Sequence, residues 1–357
     1  MRSTIKVLVV DDSALIRQML TRALAMDPRV EVVGTAKTGV EAIERCAALS
    51  PDVITLDIEM PELSGLEALP HIRKHSDARV VMLSSLDDPD TTYRALSLGA
   101  VDFIPKPSAG VATSLPDLTE LLLKTIKTAY RITPAAALAA VQNNLPERAE
   151  GPRPATKAGT LAACVGIAAS TGGPPALERV FSGLTSSMPA AYLIVQHLPQ
   201  GFSASFAKRL ASAGEVAVRE ASEGDRIEPG TAYLAPHGVH TTVADVDGEK
   251  RIRLLDEAPV HGVRPAADVM LGSIAREFGG RSIAVVLTGM GGDGARGAVE
   301  VKDAGGDVIV QDERTSVVWG MPGTAIRLGA TNRAVGVGLV AAEIRRAVRS
   351  RSEQRDV

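Results

Sequence analysis

The sequence predicts two α/β domains in tandem, each built on a mostly parallel sheet. Short apolar runs alternate with segments of helical periodicity, which is the signature of strands buried between helices. The alternation stops across a stretch rich in Ala, Asn and Pro and then restarts. A length of 357 residues suits two domains, each able to bury its own core.

In the first pattern, runs suited to buried parallel strands fall at residues 5–10, 30–33, 53–56, 80–83 and 101–104. Between them, Leu15, Ile16, Met19, Leu20, Ala23 and Leu24 form an apolar stripe at helical spacing, and Leu118, Leu121, Leu122, Thr125 and Ile126 form another. Five strands and five helices suit a flavodoxin-like sheet of order 2-1-3-4-5. From about residue 131 to 159, Asn143, Asn144, Pro146, Gly151, Pro152 and Pro154 replace periodic structure, with a short helix expected at 135–141. The second pattern places strands at 164–169, 192–195, 216–219, 232–234, 283–287 and 308–310, and helices at 174–184, 203–213, 266–278 and 295–304. Residues 243–245 and 252–254 flank Asp247-Gly248, a hairpin signal. The expected organisation is a first domain at 1–130, a linker at 131–159, a second domain at 160–350 and a tail at 351–357.

Composition narrows the class. Hydrophobic residues make up 45% and charged residues 23%, with a net charge of −3, so neither nucleic acid nor an anionic membrane is called for as partner. Cys46 and Cys164 stand far apart with no metal-binding spacing and read as small buried hydrophobes. No apolar stretch is long enough to span a membrane, and the first run is too short for a secretory leader, so a cytoplasmic location is expected. The basic segment 343–351 could serve a DNA-binding output. A recognition helix belongs to a small helical domain, however, and the pattern here is α/β, so a solvated surface helix is expected.

Two sets of residues at strand ends carry chemistry. In the first domain Asp11 and Asp12 follow the first apolar run, and Asp57 follows the third. Loops at the carboxyl ends of a parallel sheet converge, and crowded carboxylates want a cation, for which all-oxygen ligation suits Mg²⁺. Ser84 can donate a hydroxyl, and Lys106 supplies a point charge for a phosphoryl group. Pro107 suits a cis bond. The competing reading is that Asp11 and Asp12 only cap the first helix.

In the second domain Ser170 lies in Ala169-Ser170-Thr171-Gly172-Gly173-Pro174, a strand, tight turn and helix with the mechanics of a nucleophile elbow. A phosphate-binding Gly turn is the alternative. His197 ends the next strand and is placed to act as general base, with His237, His240 and His261 as competitors. Asp293 closes a glycine-rich loop and could orient that histidine, or merely cap the helix after it.

The first 130 residues resemble a response-regulator receiver domain, on Asp11-Asp12-Ser13, Asp57 with Met60-Pro61, Ser84-Ser85, and Gly99-Ala100 through Phe103 to Lys106-Pro107. The resemblance implies that Asp57 accepts a phosphoryl group from a histidine kinase, with Asp11 and Asp12 joining it around Mg²⁺. Ser84 and Lys106 would contact the phosphoryl group, and Phe103 would be the switch aromatic. Beyond residue 160 the chain resembles the CheB family of chemotaxis protein-glutamate methylesterases. The marks are Ser170-Thr171-Gly172-Gly173-Pro174, Gln196-His197-Leu198-Pro199, Thr288-Gly289-Met290-Gly291 with Asp293-Gly294, Gln311-Asp312-Glu313, and Trp319-Gly320-Met321-Pro322. This implies a Ser170, His197, Asp293 triad, with the amides of Thr171 and Met290 as oxyanion donors. It also implies hydrolysis of glutamate methyl esters on methyl-accepting chemotaxis receptors, deamidation of receptor glutamines, and no cofactor for either. The covalent order implies that the receiver restrains the esterase until it is phosphorylated. Ala168 departs from the Gly common in the family, and an Ala held at positive φ would cost about 1 kcal/mol or more.

Overall fold

The computed structural model describes residues 4–85, 89–106, 115–133 and 160–353, which fall into two compact units on either side of 134–159. The helix expected at 135–141 and the cis bond expected at Pro107 lie outside the described residues.

In the first unit five strands, β1 (Ile5–Val10), β2 (Val30–Ala36), β3 (Val53–Asp57), β4 (Arg79–Ser84) and β5 (Asp102–Pro105), pair in parallel in the order 2-1-3-4-5. Five helices connect and follow them: α1 (Ala14–Leu24), α2 (Gly39–Leu49), α3 (Gly65–His75), α4 (Pro89–Ser97) and α5 (Leu115–Arg131). The middle strands are largely apolar because helices cover both faces; all of β3 is buried. Pro105 is tolerated because β5 is an edge strand that needs no further donor. Ser13, Thr38 and Ser64 cap α1, α2 and α3, and Ser64 forms a reciprocal capping box with Glu67. Strand order reverses between β1 and β3, so the crevice at their carboxyl ends opens beside Asp11 and Asp57.

The second unit holds a seven-stranded parallel sheet. Its strands are β6 (Ala163–Ala169), β7 (Ala190–Gln196), β8 (Ala217–Glu220), β9 (Thr231–Leu234), β12 (Ser282–Val286), β13 (Asp307–Gln311) and β14 (Ala334–Val335), ordered 14-13-12-6-7-9-8. An antiparallel hairpin of β10 (His240–Val246) and β11 (Glu249–Leu255) turns at Asp247-Gly248, as expected. The helices are α6 (Gly173–Phe181), α7 (Ser203–Ala213), α8 (Ala267–Phe278), α9 (Ala295–Asp303), α10 (Gly320–Arg327) and α11 (Val337–Glu353). Every strand and helix expected from periodicity in this unit is present to within a few residues. Two elements leave no signal in the sequence: β14 is too short for a pattern, and in α10 Gly320, Pro322 and Gly323 argue against a helix. Pro322 is accepted because it sits in the first turn, where amides have no intrahelical partner.

The basic segment near the C-terminus belongs to α11, which buries Val337, Val340, Ala341, Ile344 and Val348 against the second unit. Arg351 pairs with Asp307, Arg346 with Glu343, and Arg345 donates to the Gly183 carbonyl. Its apolar face is thus committed to packing within the second unit. Cys46 and Cys164 are buried and free, and burial pushes both thiols up. Among the described residues no helix is long and apolar enough to cross a membrane.

Candidate active site and phosphorylation site

Strand order in the parallel sheet of the second unit reverses between β6 and β12, and three residues of interest leave the strands around that point. Ala169, the last residue of β6, stands in register with Gln196, the last of β7, so Ser170 and His197 emerge side by side. The His197 amide donates to the Ala169 carbonyl at 3.2 Å and the Ser170 amide to the Thr288 carbonyl at 3.0 Å. The chain then turns at Gly172, whose φ of +74° suits only glycine and whose hydrogen faces Val317 too closely for a Cβ. α6 starts immediately, with Pro174 and Pro175 in its first turn, so the positive end of its dipole lies beside Ser170. Ser170 and His197 are half-buried, and Asp293 is buried.

His197 Nε2 lies 2.9 Å from Asp293 Oδ2, so Nδ1 is the ring nitrogen not engaged by that carboxylate. The competing histidines are engaged elsewhere. His237 Nδ1 meets the Leu198 carbonyl, His240 Nδ1 accepts the Ala266 amide while its Nε2 meets the Ala258 carbonyl, and His261 pairs with Asp268. Asp293 is also not the cap of its own helix, α9, whose N-cap is Gly294. Its carboxylate instead accepts the first amides of α8, from Ala267 at 2.7 Å and Asp268 at 2.9 Å, besides that of Gly294. Burial pushes the Asp293 carboxyl up, but His197 and these amides outweigh it and hold the group below its ordinary range.

Two glutamines, Gln196 and Gln311, complete the scaffold; in the sequence they carry no role beyond being family marks. Gln196 Nε2 donates to the carbonyls of both Ser170 (3.0 Å) and His197 (3.1 Å), tying the two loops together. Gln311 accepts the Thr288 amide and donates to the Thr315 carbonyl. Ala168 lies in regular β6 outside the left-handed region, so its backbone carries no strain. Its methyl packs where a Cβ on Gly294 would come within 2.9 Å, and Gly294 has φ +84°. Gly294→Ala is therefore expected to lower unfolding stability by about 2–4 kcal/mol, from strained backbone and overpacking together. Urea midpoints would check this, and an unchanged midpoint would refute the account.

In the first unit Asp11, Asp12 and Asp57 each offer a carboxylate oxygen within 4.8 Å of the others. Asp11 and Asp57 are buried, and the Oδ2 atom of each faces the Lys106 ammonium. Lys106 Nζ stands 2.6 Å from Asp57 Oδ2 and 3.2 Å from Asp11 Oδ2. Three carboxylates against one ammonium leave net negative charge on an all-oxygen set, which fits Mg²⁺. Burial pushes the Asp57 carboxyl up to about 6, assisted by Asp11 and opposed by Lys106. The helix-cap alternative for Asp11 and Asp12 gives way, since Ser13 caps α1. Ser84 is hydrogen-bonded to Thr92, and Phe103 makes an edge contact with the buried ring of Tyr93, with centroids 6.3 Å apart. Thr92 and Tyr93 gave no signal in the sequence.

Known proteins match both halves. Residues 7–112 match the response regulator receiver domain, and residues 165–344 match CheB methylesterase. The chain belongs to the CheB methylesterase family. Among CheB relatives, a protein-glutamate methylesterase/protein-glutamine glutaminase of Pyrococcus horikoshii is 44% identical over 328 residues, 91% of this chain and 88% of the relative. One of Xanthomonas campestris is 42% identical over 346 residues, 96% of each. The crystal structure of the Thermotoga maritima CheB methylesterase catalytic domain is 38% identical, covering 52% of this chain and 97% of that one with a TM-score of 0.51.

Proposed function

We propose that the protein is a phosphorylation-controlled protein-glutamate methylesterase and protein-glutamine glutaminase of a chemotaxis pathway, acting in the cytoplasm on methyl-accepting receptors. The layout is a receiver at 1–130, a linker at 131–159 and a catalytic domain at 160–350 followed by a short tail. The observation that carries the reading is the 2.9 Å contact of His197 with buried Asp293, beside a serine delivered by the neighbouring strand in register.

In the reaction Ser170 Oγ attacks the γ-ester carbonyl as His197 takes its proton. The C–O bond to the methyl group's oxygen breaks, and His197 returns the proton so that methanol leaves. Water, activated by the same histidine, then cleaves the acyl-serine and releases glutamate. An amide passes through a similar tetrahedral intermediate and gives ammonia instead. The amides of Thr171 and Met290 are assigned to the oxyanion, which the N-terminus of α6 also favours. Asp293 keeps the imidazole oriented and stabilises its charged form.

In the receiver Asp57 accepts the phosphoryl group from a histidine kinase. Mg²⁺, held by Asp11, Asp12 and Asp57, supplies neutralising charge when bound. Lys106 pairs with the phosphoryl oxygens, Ser84 turns its hydroxyl to them, and Phe103 reports the change. The experiment is methanol release from methylated receptor, with and without acetyl phosphate and Mg²⁺. Release is expected to rise on phosphorylation in the wild type and to ignore acetyl phosphate in Asp57→Asn. Equal stimulation of both proteins would remove the switch, and no release under any condition would remove the esterase.

A further inference from the structure

The N-termini of α8 and α9 exchange carboxylates. Asp293, just ahead of α9, accepts the amides of Ala267 and Asp268 at the start of α8. In return Asp268 Oδ1 accepts the amide of Gly297 in the first turn of α9 at 2.8 Å. The N-cap residues of both helices, Ala266 and Gly294, provide no side-chain cap of their own, so each helix depends on the other's aspartate. The exchange needs close helices, and a Cβ on Gly297 would stand 2.6 Å from Leu271 Cβ. The second oxygen of Asp268 meets His261 Nε2 at 2.7 Å. Two histidine–carboxylate pairs, His261–Asp268 and His197–Asp293, are thus joined through the amide of Asp268. Every carboxylate oxygen of this cluster receives an N–H, which makes it a hydrogen-bonded relay rather than a cation cage. Nearby at the surface, Arg264 pairs with Asp256, Arg276 with Glu300 and Glu277 with Lys250.

We propose that Asp268, steadied by His261, is a positioning residue for ester hydrolysis: it fixes the helix N-terminus on which the Asp293 carboxylate is seated and so sets the orientation of His197. The inference rests on the triad reading. Its physical basis is that Asp293 Oδ2 is shared between His197 and the Ala267 amide. A small shift of α8 therefore turns the carboxylate away from the imidazole.

The test uses the full-length protein with acetyl phosphate and Mg²⁺, with active sites counted by a fluorophosphonate titrant. Asp268→Asn is expected to lower kcat per titrated site by about 10- to 100-fold with KM little changed. It is also expected to move the ascending limb of the kcat–pH profile to lower pH, because an imidazole held less well by its carboxylate gives up its proton sooner. His261 has φ +54°, so His261→Gly is compatible with that backbone and removes the imidazole with its donor. A smaller change in the same direction is expected. His261→Asn tolerates that backbone and supplies an amide donor, so it is expected to restore most of the rate. Asp268→Asn with wild-type kcat per site and an unmoved limb overturns the inference, even if the protein is less stable. Should that variant yield no titratable enzyme, the histidine pair decides, and a His261→Gly enzyme indistinguishable from wild type overturns it. An active Ser170→Ala or Asp293→Asn enzyme sinks the triad reading itself, and the inference with it.

Discussion

Ser170→Ala is expected to abolish methanol release from methylated receptor and ammonia release from receptor glutamines together, with kcat falling by about 10⁴-fold or more. The size follows from where the serine sits. Its amide is held by the Thr288 carbonyl, its own carbonyl by Gln196, and it follows a fully buried strand next to the one that delivers His197. Alanine leaves all of that backbone in place, so the fold and substrate binding are expected to persist while the covalent step is lost. Circular dichroism and receptor pull-down would confirm the intact protein. A variant that kept even a hundredth of the ester activity would point to water attack without an acyl-enzyme and sink the nucleophile assignment. Loss of one activity without the other would show that ester and amide use different groups.

Asp293→Asn is expected to cost about 10⁴-fold in kcat, since an amide neither selects the required tautomer nor stabilises the imidazolium. Here the substitution also reaches the fold. Asp293 offers two oxygens to four N–H groups: Oδ2 serves His197 and Ala267, and Oδ1 serves Asp268 and Gly294. Asparagine keeps one oxygen and turns an NH₂ toward buried donors, so about 1–3 kcal/mol of stability is expected to go as well. The pH sign is fixed by the direction of the shift. A carboxyl held below its ordinary value favours the folded state above the unfolded pKa, and that contribution is lost as pH falls through the folded value. The stability gap between wild type and variant is therefore expected to be full at neutral pH and to narrow below about pH 4. Urea unfolding at neutral and acid pH would measure it. A gap that widened in acid would mean that Asp293 is not the charged cap of α8.

Much of this site is legible along the chain because parallel sheets place chemistry where buried runs end. Ser170 and Asp57 stand at or just beyond the last residue of an apolar strand, as do Asp11 and His197. A polar residue there has left the covered face of the sheet, so it needs a reason to be present. What the chain order cannot say is which partner each side chain meets. Four histidines of the second domain lie near turns or strand ends, and local pattern ranks them poorly. The structure separates them by ring nitrogens: His240 spends both on backbone, His261 turns to Asp268, and His197 reaches Asp293.

Asp293 shows the same limit from the other side. Before a helix, an aspartate reads as that helix's cap, and here it caps a different one. Gln196, Thr92, Tyr93 and Asp268 carried no assigned role in the sequence for a related reason. Each acts mainly through contacts with residues distant in the chain or on another element, and such contacts leave no periodicity. The strand–helix alternation, the elbow glycine and the acidic strand ends are local properties, set by burial and backbone sterics, and the sequence by itself determined them. The crossing of the two carboxylates between α8 and α9, and through it the orientation of the imidazole, was decided only by the tertiary structure, because hydrogen bonds between helix ends depend on how closely two helices pack in space.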